Sequence, residues 1–220
     1  MSSIAQNIQQ IEQQLSNNTK LIAVTKTKPT AMLQETYDAG FRRFGENKVQ
    51  EMTEKYNLLP KDIEWHMIGH LQSNKVKYMA SYVSMVHSVD SFKLLQEINK
   101  EAKKNDRIIP CLLQIFIAQE ETKFGLSEQE AIEILSSPEL PDLTNIKIAG
   151  LMGMASNTDD QTKIRSEFQN LKNLFESCKK FNSSNAEMTE LSMGMSGDYA
   201  IAAEEGSTLI RVGSAIFGSR

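Results

Sequence analysis

The first apolar positions of the chain, Ile4, Ile8, Ile11 and Leu15, recur at helical spacing with glutamines between them, which predicts an amphipathic N-terminal helix. From Leu21 onward the pattern changes. Short runs rich in aliphatic and β-branched residues, LIAVTK, FRRFGEN, EWHMIG, MVHSVD, PCLLQIFI, IKIAGLMG, TELSMG and TLIRVG, read as eight strands. Between them lie segments that read as helices, among them residues 31–39, 74–79, 93–103, 128–135, 164–180 and 199–205. Strands alternating with helices predict βα units around a parallel sheet. No linker rich in Pro, Gly or Ser and no repeat divides the chain, so the expectation is one domain over residues 1–220. Its fold class is α/β, a single (β/α)8 barrel with an additional N-terminal helix. A doubly wound open sheet would show the same alternation, but no G-x-G-x-x-G follows an early strand.

A length of 220 residues suits one such barrel, and 40% hydrophobic with 24% charged residues is the composition of a soluble folded protein. A net charge of -4 with scattered lysines gives no footprint for nucleic acid. Cys111 and Cys178 are the only cysteines and stand far apart, which suggests neither a disulfide framework nor a paired-cysteine zinc site, and fits reduced thiols in the cytoplasm. The N-terminus lacks the basic and apolar regions of a signal peptide, and LLQIFIA is too short to span a bilayer, so no membrane association is expected. A monomer is expected.

Active sites of such barrels form at the C-terminal strand ends. Those ends are polar or glycine-rich here: Lys26, the GEN of residues 45–47, Ser88 to Asp90, Ser192 and Ser196, and Gly213 with Ser214. Alternate strand residues share a face, so Ile22, Val24 and Lys26 point the same way, and with that face inward Lys26 enters the barrel mouth. Lys28 has the same parity but precedes Pro29, which holds it extended at the rim. A lysine amine held partly out of water is the group that forms a Schiff base with an aldehyde. On the last strand Leu209, Arg211 and Gly213 share one face, and barrel closure brings that strand beside the first, so Arg211 projects near Lys26.

Two neighbouring cations call for an anion. Barrels often hold phosphate in the loops after strands seven and eight, and here these are MSGDYA and GSAIFG. Gly197 and Gly213 allow close backbone approach, while Ser196 and Ser214 add hydroxyl donors. A lysine for an aldehyde, an arginine for a ring nitrogen and a cup for a phosphate together describe pyridoxal 5'-phosphate. His66 reads as a strand histidine bonded within the barrel in preference to a general base.

The stretches AVTKTKP, FGENKVQE, WHMIGHLQSNK, SVDS, GLM, LSMGMSGDYAIA and STLIRVGSAIFG resemble the pyridoxal phosphate homeostasis proteins, a family related to the N-terminal barrel of alanine racemase. The resemblance runs from Leu21 to Arg220. It implies Lys26 as the lysine of a covalent aldimine with pyridoxal 5'-phosphate, Arg211 facing the pyridine nitrogen, and Ser196, Gly213 and Ser214 around the phosphate. Asn47, in FGEN, becomes another pocket residue. The family usually carries asparagine where Phe116 stands, so this strand end is assigned no ligand contact. Lys123 and Gly125 match the family's next loop and are given no role.

The family implies a non-catalytic protein of intracellular pyridoxal phosphate (vitamin B6) homeostasis, acting through it on amino-acid and keto-acid pools, with pyridoxal-phosphate-dependent apoenzymes as candidate partners. The alternative is a pyridoxal-phosphate-dependent amino-acid racemase. Such an enzyme is expected to add a second domain and an opposing tyrosine base, whereas this sequence stops just after strand eight. A lysine Schiff-base enzyme acting on a phosphosugar would use Lys26 and the cup but leave Arg211 without a purpose.

Overall fold

In the structure, a computed structural model that describes residues 3–15, 18–118 and 125–218, Ser3 caps the first helix, α1 (Ile4–Glu12). The Ser3 hydroxyl accepts the Gln6 amide at 3.2 Å and the Gln6 side chain accepts the Ser3 amide at 2.9 Å, a reciprocal cap that satisfies two donors a helix start leaves free. The Ile4, Ile8 and Ile11 stripe is buried, as its spacing predicts.

Eight parallel strands follow: β1 (Lys20–Val24), β2 (Arg43–Glu46), β3 (Glu64–Met67), β4 (Met85–Val89), β5 (Ile109–Ile115), β6 (Ile146–Gly153), β7 (Ala186–Ser192) and β8 (Leu209–Val212). They close in sequence order, with Ile22 of β1 in register with Arg211 of β8. The fold is therefore the (β/α)8 barrel, and the open sheet is ruled out. The later helices are α2 (Thr30–Asp38), α3 (Val49–Leu58), α4 (Phe92–Lys104), α5 (Glu128–Leu135), α6 (Gln161–Cys178), α7 (Tyr199–Glu204) and α8 (Ser214–Phe217). Among the described residues no helix is long and apolar enough to cross a membrane.

Strand parity divides the core in two. Leu21 and Ala23 belong to the large cluster between sheet and helices, while Ile22 packs inside the barrel with Leu112, Ala149, Met152 and Leu209. Likewise Ile210 and Val212 face outward and Leu209 inward, which puts Arg211 on the inner face.

Three local readings are corrected. β1 ends at Val24 and not at Lys26, because the Lys28 amide donates back to Thr25 O at 3.0 Å and turns the chain. Residues 74–79 read as a helix from the sequence, and the structure has a 3-10 segment there, Ser73–Tyr78, with Met79 as its C-cap. Helix α3 is not assigned by the sequence reading. Its core-facing residues are Val49, Met52 and Lys55, and a lysine at the third position breaks the apolar period that marks a helix.

Candidate functional site

Lys26, Asn47, Ser196, Gly197, Arg211, Gly213 and Ser214, the residues singled out from the sequence, all line one cavity of about 340 Å3 at the C-terminal mouth of the barrel. Its titratable lining groups among the described residues are Lys26, Lys28 and Arg211, all cationic. A cavity so lined favours an anion.

The loops after β7 and β8 meet directly. The Gly213 amide donates to Ser196 Oγ at 3.2 Å. Asp198 Oδ1 accepts the Met195 amide at 2.5 Å, and the Tyr199 amide donates to Met195 O at 2.8 Å, which closes the turn that presents Ser196 and Gly197. A Cβ built on Gly197 meets nothing within 4 Å, so the missing side chain leaves open space on the cavity wall. Gly213 instead lacks a Cβ for packing: one there would lie 3.1 Å from Val24 O on the neighbouring strand. In α8 the first amides have no intrahelical acceptor. The two loops thus bring small residues, hydroxyls and backbone N–H groups to one wall of the cavity, a surface of the kind that favours oxyanions.

Arg211 is 4% exposed. One terminal nitrogen donates to Ser192 Oγ at 2.6 Å and the other to Gly153 O at 3.0 Å, which fixes the guanidinium plane. Burial pulls its pKa down to about 10, with Asp198 acting in the opposite sense, so it stays charged at neutral pH. Ser192 also meets His87 at 2.9 Å, and His87 meets His66 at 3.0 Å, both rings being buried in the barrel. His66 is thus the bonded strand histidine and does not line the cavity. His87 was not singled out, and a lone histidine in MVHSVD gives no signal of partners that only barrel closure brings near.

Lys26 is half-buried, and its amine makes no hydrogen bond or ion pair within the described residues. The backbone on either side of it is held from α3. Lys55 Nζ reaches Thr25 O at 2.8 Å, Glu46 Oε1 at 2.7 Å and Glu51 Oε1 at 2.7 Å. Thr25 Oγ1 donates to Glu46 Oε1 at 2.6 Å, and the Thr27 amide donates to Glu51 Oε1 at 2.6 Å. Thr27 has φ 64°, a left-handed conformation that a β-branched residue adopts only when its surroundings impose it. Burial raises the pKa of Glu46, while Lys55 and Thr25 oppose the rise through their hydrogen bonds. From the sequence Glu46 was named only as part of a polar strand end, and Glu51 and Lys55 were given no role.

Lys28 shares the parity of Lys26 but not its role in the geometry. Its amine donates to Gly218 O at 3.1 Å and Phe217 O at 3.4 Å, against the carbonyl end of α8. Asn47 follows β2, and its backbone crosses Gly69 so closely that a Cβ on Gly69 would lie 2.4 Å from Asn47 O. Phe116 sits just beyond β5 and does not line the cavity. Gly125 has φ 113°, and Lys123 lies outside the described residues.

The pieces define a class: a parallel eight-stranded barrel whose mouth combines an unpaired lysine, a fixed arginine and a two-loop anion cup. A family model described as alanine racemase, N-terminal domain, matches residues 1–220. The chain is 38% identical over 206 residues to the pyridoxal phosphate homeostasis protein of Aquifex aeolicus, covering 93% of this chain and 88% of that one. The solved structure of PipY from Synechococcus elongatus without pyridoxal phosphate superposes with a TM-score of 0.91 at 34% identity, over 98% of this chain and all of that one. PipY with pyridoxal phosphate bound gives 0.87. Alanine racemase from Bartonella henselae shares the fold, with a TM-score of 0.75 at 16% identity over 98% of this chain and 58% of that one. This chain belongs to the pyridoxal phosphate homeostasis protein family.

Proposed function

We propose that this chain is a non-catalytic binder of pyridoxal 5'-phosphate, working as one domain over residues 1–220, that helps hold the cytoplasmic pool of the cofactor and through it amino-acid and keto-acid pools. The observation that carries the reading is the convergence of seven residues from β1, β2, β7 and β8 or the loops after them on a single cavity whose titratable lining groups are cations. PipY, similar over nearly its whole length, has been solved with pyridoxal phosphate bound. The free, buried Cys111 and Cys178 agree with a reducing compartment.

The residues present fit the group. Ser196, Gly197, Gly213 and Ser214 take its phosphate, Asn47 lines the ring, and Lys26, whose amine has no competing partner among the described residues, takes up its aldehyde carbon with loss of water. When bound, the cofactor supplies that aldehyde and an electron-withdrawing ring. Arg211 can only donate, and at a pKa of about 10 it does not give up its proton to a ring nitrogen, so it leaves the electron sink weak. Racemisation also requires a second acid or base facing the lysine. Tyr199, the tyrosine nearest the mouth in sequence, donates its hydroxyl to Gln14 at 2.7 Å instead. On this reading the protein is a monomer, with pyridoxal-phosphate-dependent apoenzymes as candidate partners.

The test is to load the protein with pyridoxal phosphate and incubate it with L-alanine and other amino acids in deuterated water. Retention of the cofactor with no α-proton exchange above that of free pyridoxal phosphate is the expected result. Exchange with racemisation at about one per second or faster, lost in Lys26→Ala, overturns the reading in favour of an enzyme.

A further inference from the structure

Resting on that reading, we propose that Ser192, His87 and His66 form a one-directional hydrogen-bond chain inside the barrel that positions Arg211 as a fixed donor toward the ring-nitrogen site.

The direction follows from counting protons. A guanidinium has donors and no acceptor, so at 2.6 Å from Arg211 the Ser192 oxygen accepts. The other partner of that oxygen among the described residues is His87 Nδ1, at 2.9 Å. With the hydroxyl proton given to Nδ1, His87 carries its own proton on Nε2 and donates it to His66 Nδ1 at 3.0 Å. His66 then carries its proton on Nε2, a buried atom with no partner among the described residues. Reversing the chain leaves two groups unsatisfied in place of one, the Ser192 hydroxyl proton and the His66 Nε2 lone pair. Leaving buried polar groups unbonded is costly, which decides for the first arrangement.

Both rings stay neutral. Burial drives the His66 pKa down to about 3, helped by Arg43 and Lys20, and drives that of His87 well below its ordinary value, helped by His66 and Arg211. The positive charge therefore remains on Arg211, at the cavity end. The Ser192 and Gly153 bonds hold two guanidinium nitrogens on the inner side and leave the remaining N–H groups to the cavity. In an interior that also holds Ile22, Leu112 and Leu209, the desolvation cost of this polar chain is offset by the hydrogen bonds its members make to one another.

The experiment has two arms. The chain contains three histidines, so long-range 1H–15N spectra of the ligand-free protein show three rings, with exposed His70 as the third signal. The expected spectrum at neutral pH has both buried rings in the Nε2–H tautomer. A buried ring in the Nδ1–H tautomer, or one that is charged, overturns the proposal. In the second arm, pyridoxal phosphate is compared with its analogue in which the ring nitrogen is replaced by carbon. Wild type is expected to favour the nitrogen ligand by about tenfold, the worth of one hydrogen bond to a charged donor. Ser192→Ala is expected to abolish that preference while borohydride still fixes the ligand to Lys26, and Ser192→Thr, which keeps the hydroxyl, to restore it. An undiminished preference in Ser192→Ala refutes the positioning role. If wild type binds neither ligand, the cofactor reading fails, and the tautomers still decide the direction of the chain.

Discussion

At the scale of single residues, what was legible depended on whether a local rule reached the residue. Parity along β1 and β8 put Lys26 and Arg211 on the inner face, and both line the cavity, because the two-residue period of a strand carries on into its first loop residues. The same rule could not separate Lys26 from Lys28. Pro29 set Lys28 at the rim, and the structure adds a tertiary cause, since the Lys28 amine is taken by the carbonyls of Phe217 and Gly218. The cup residues were legible as small hydroxyl and glycine pairs in the expected loops, and the Gly213 to Ser196 bond shows those loops joined. A carboxylate placed there faces the phosphate. Two unit charges about 4 Å apart repel by about 1 kcal/mol in water and about 4 kcal/mol at a protein surface. Ser196→Asp is therefore expected to weaken binding of pyridoxal phosphate roughly tenfold to a thousandfold, while pyridoxal without phosphate loses little. Equilibrium titration of both ligands checks this, and equal losses would place the phosphate elsewhere.

At the scale of elements, the strands were read in number and order, whereas helix α3 was not, and the cause is one residue. Lys55 occupies a core-facing position at 5% exposure, where the apolar period calls for a hydrophobic side chain. The fold tolerates it because Glu46 and Glu51 pair with it. Through Thr25 and Thr27 that pairing ties α3 to the strained turn carrying Lys26. Lys55→Met leaves the fully buried Glu46 without its counterion, a loss of about 3–5 kcal/mol where such pairs are broken on one side. Adding Glu46→Gln removes the stranded charge and is expected to recover much of the stability. Urea unfolding of the single and double variants measures both effects. A Lys55→Met protein as stable as wild type would mean the pair is no more than a surface contact.

At the scale of the whole molecule, eight strand-like runs in an undivided chain without a dinucleotide fingerprint pointed to the closed barrel over the open sheet, and the pairing of β1 with β8 decides it. Of what fills the barrel, Ile22, Arg211 and His66 were legible, whereas His87 and the hydrogen bonds joining it to His66 and Ser192 were not, because only closure brings those strands together. The histidines tie that interior to global stability. Their folded-state pKa values are depressed, to about 3 for His66, so below about pH 6.5 the unfolded chain takes up protons that the folded protein refuses. Stability is complete above that pH and falls as the pH drops, by about 1.4 kcal/mol per pH unit for each buried ring. Urea unfolding between about pH 6.5 and pH 5 should show the slope, and His66→Asn, which keeps an acceptor for His87, should roughly halve it. A flat profile would mean that the rings titrate normally. The central claim, that the barrel mouth holds pyridoxal phosphate through Lys26, is tested most directly by loading the protein with the cofactor, reducing with borohydride, and mapping the labelled peptide by mass. The expected result is a single label on Lys26 that is absent from Lys26→Ala and merely diminished in Lys28→Ala. A label on Lys28 that survives Lys26→Ala, or no label at all, would contradict it.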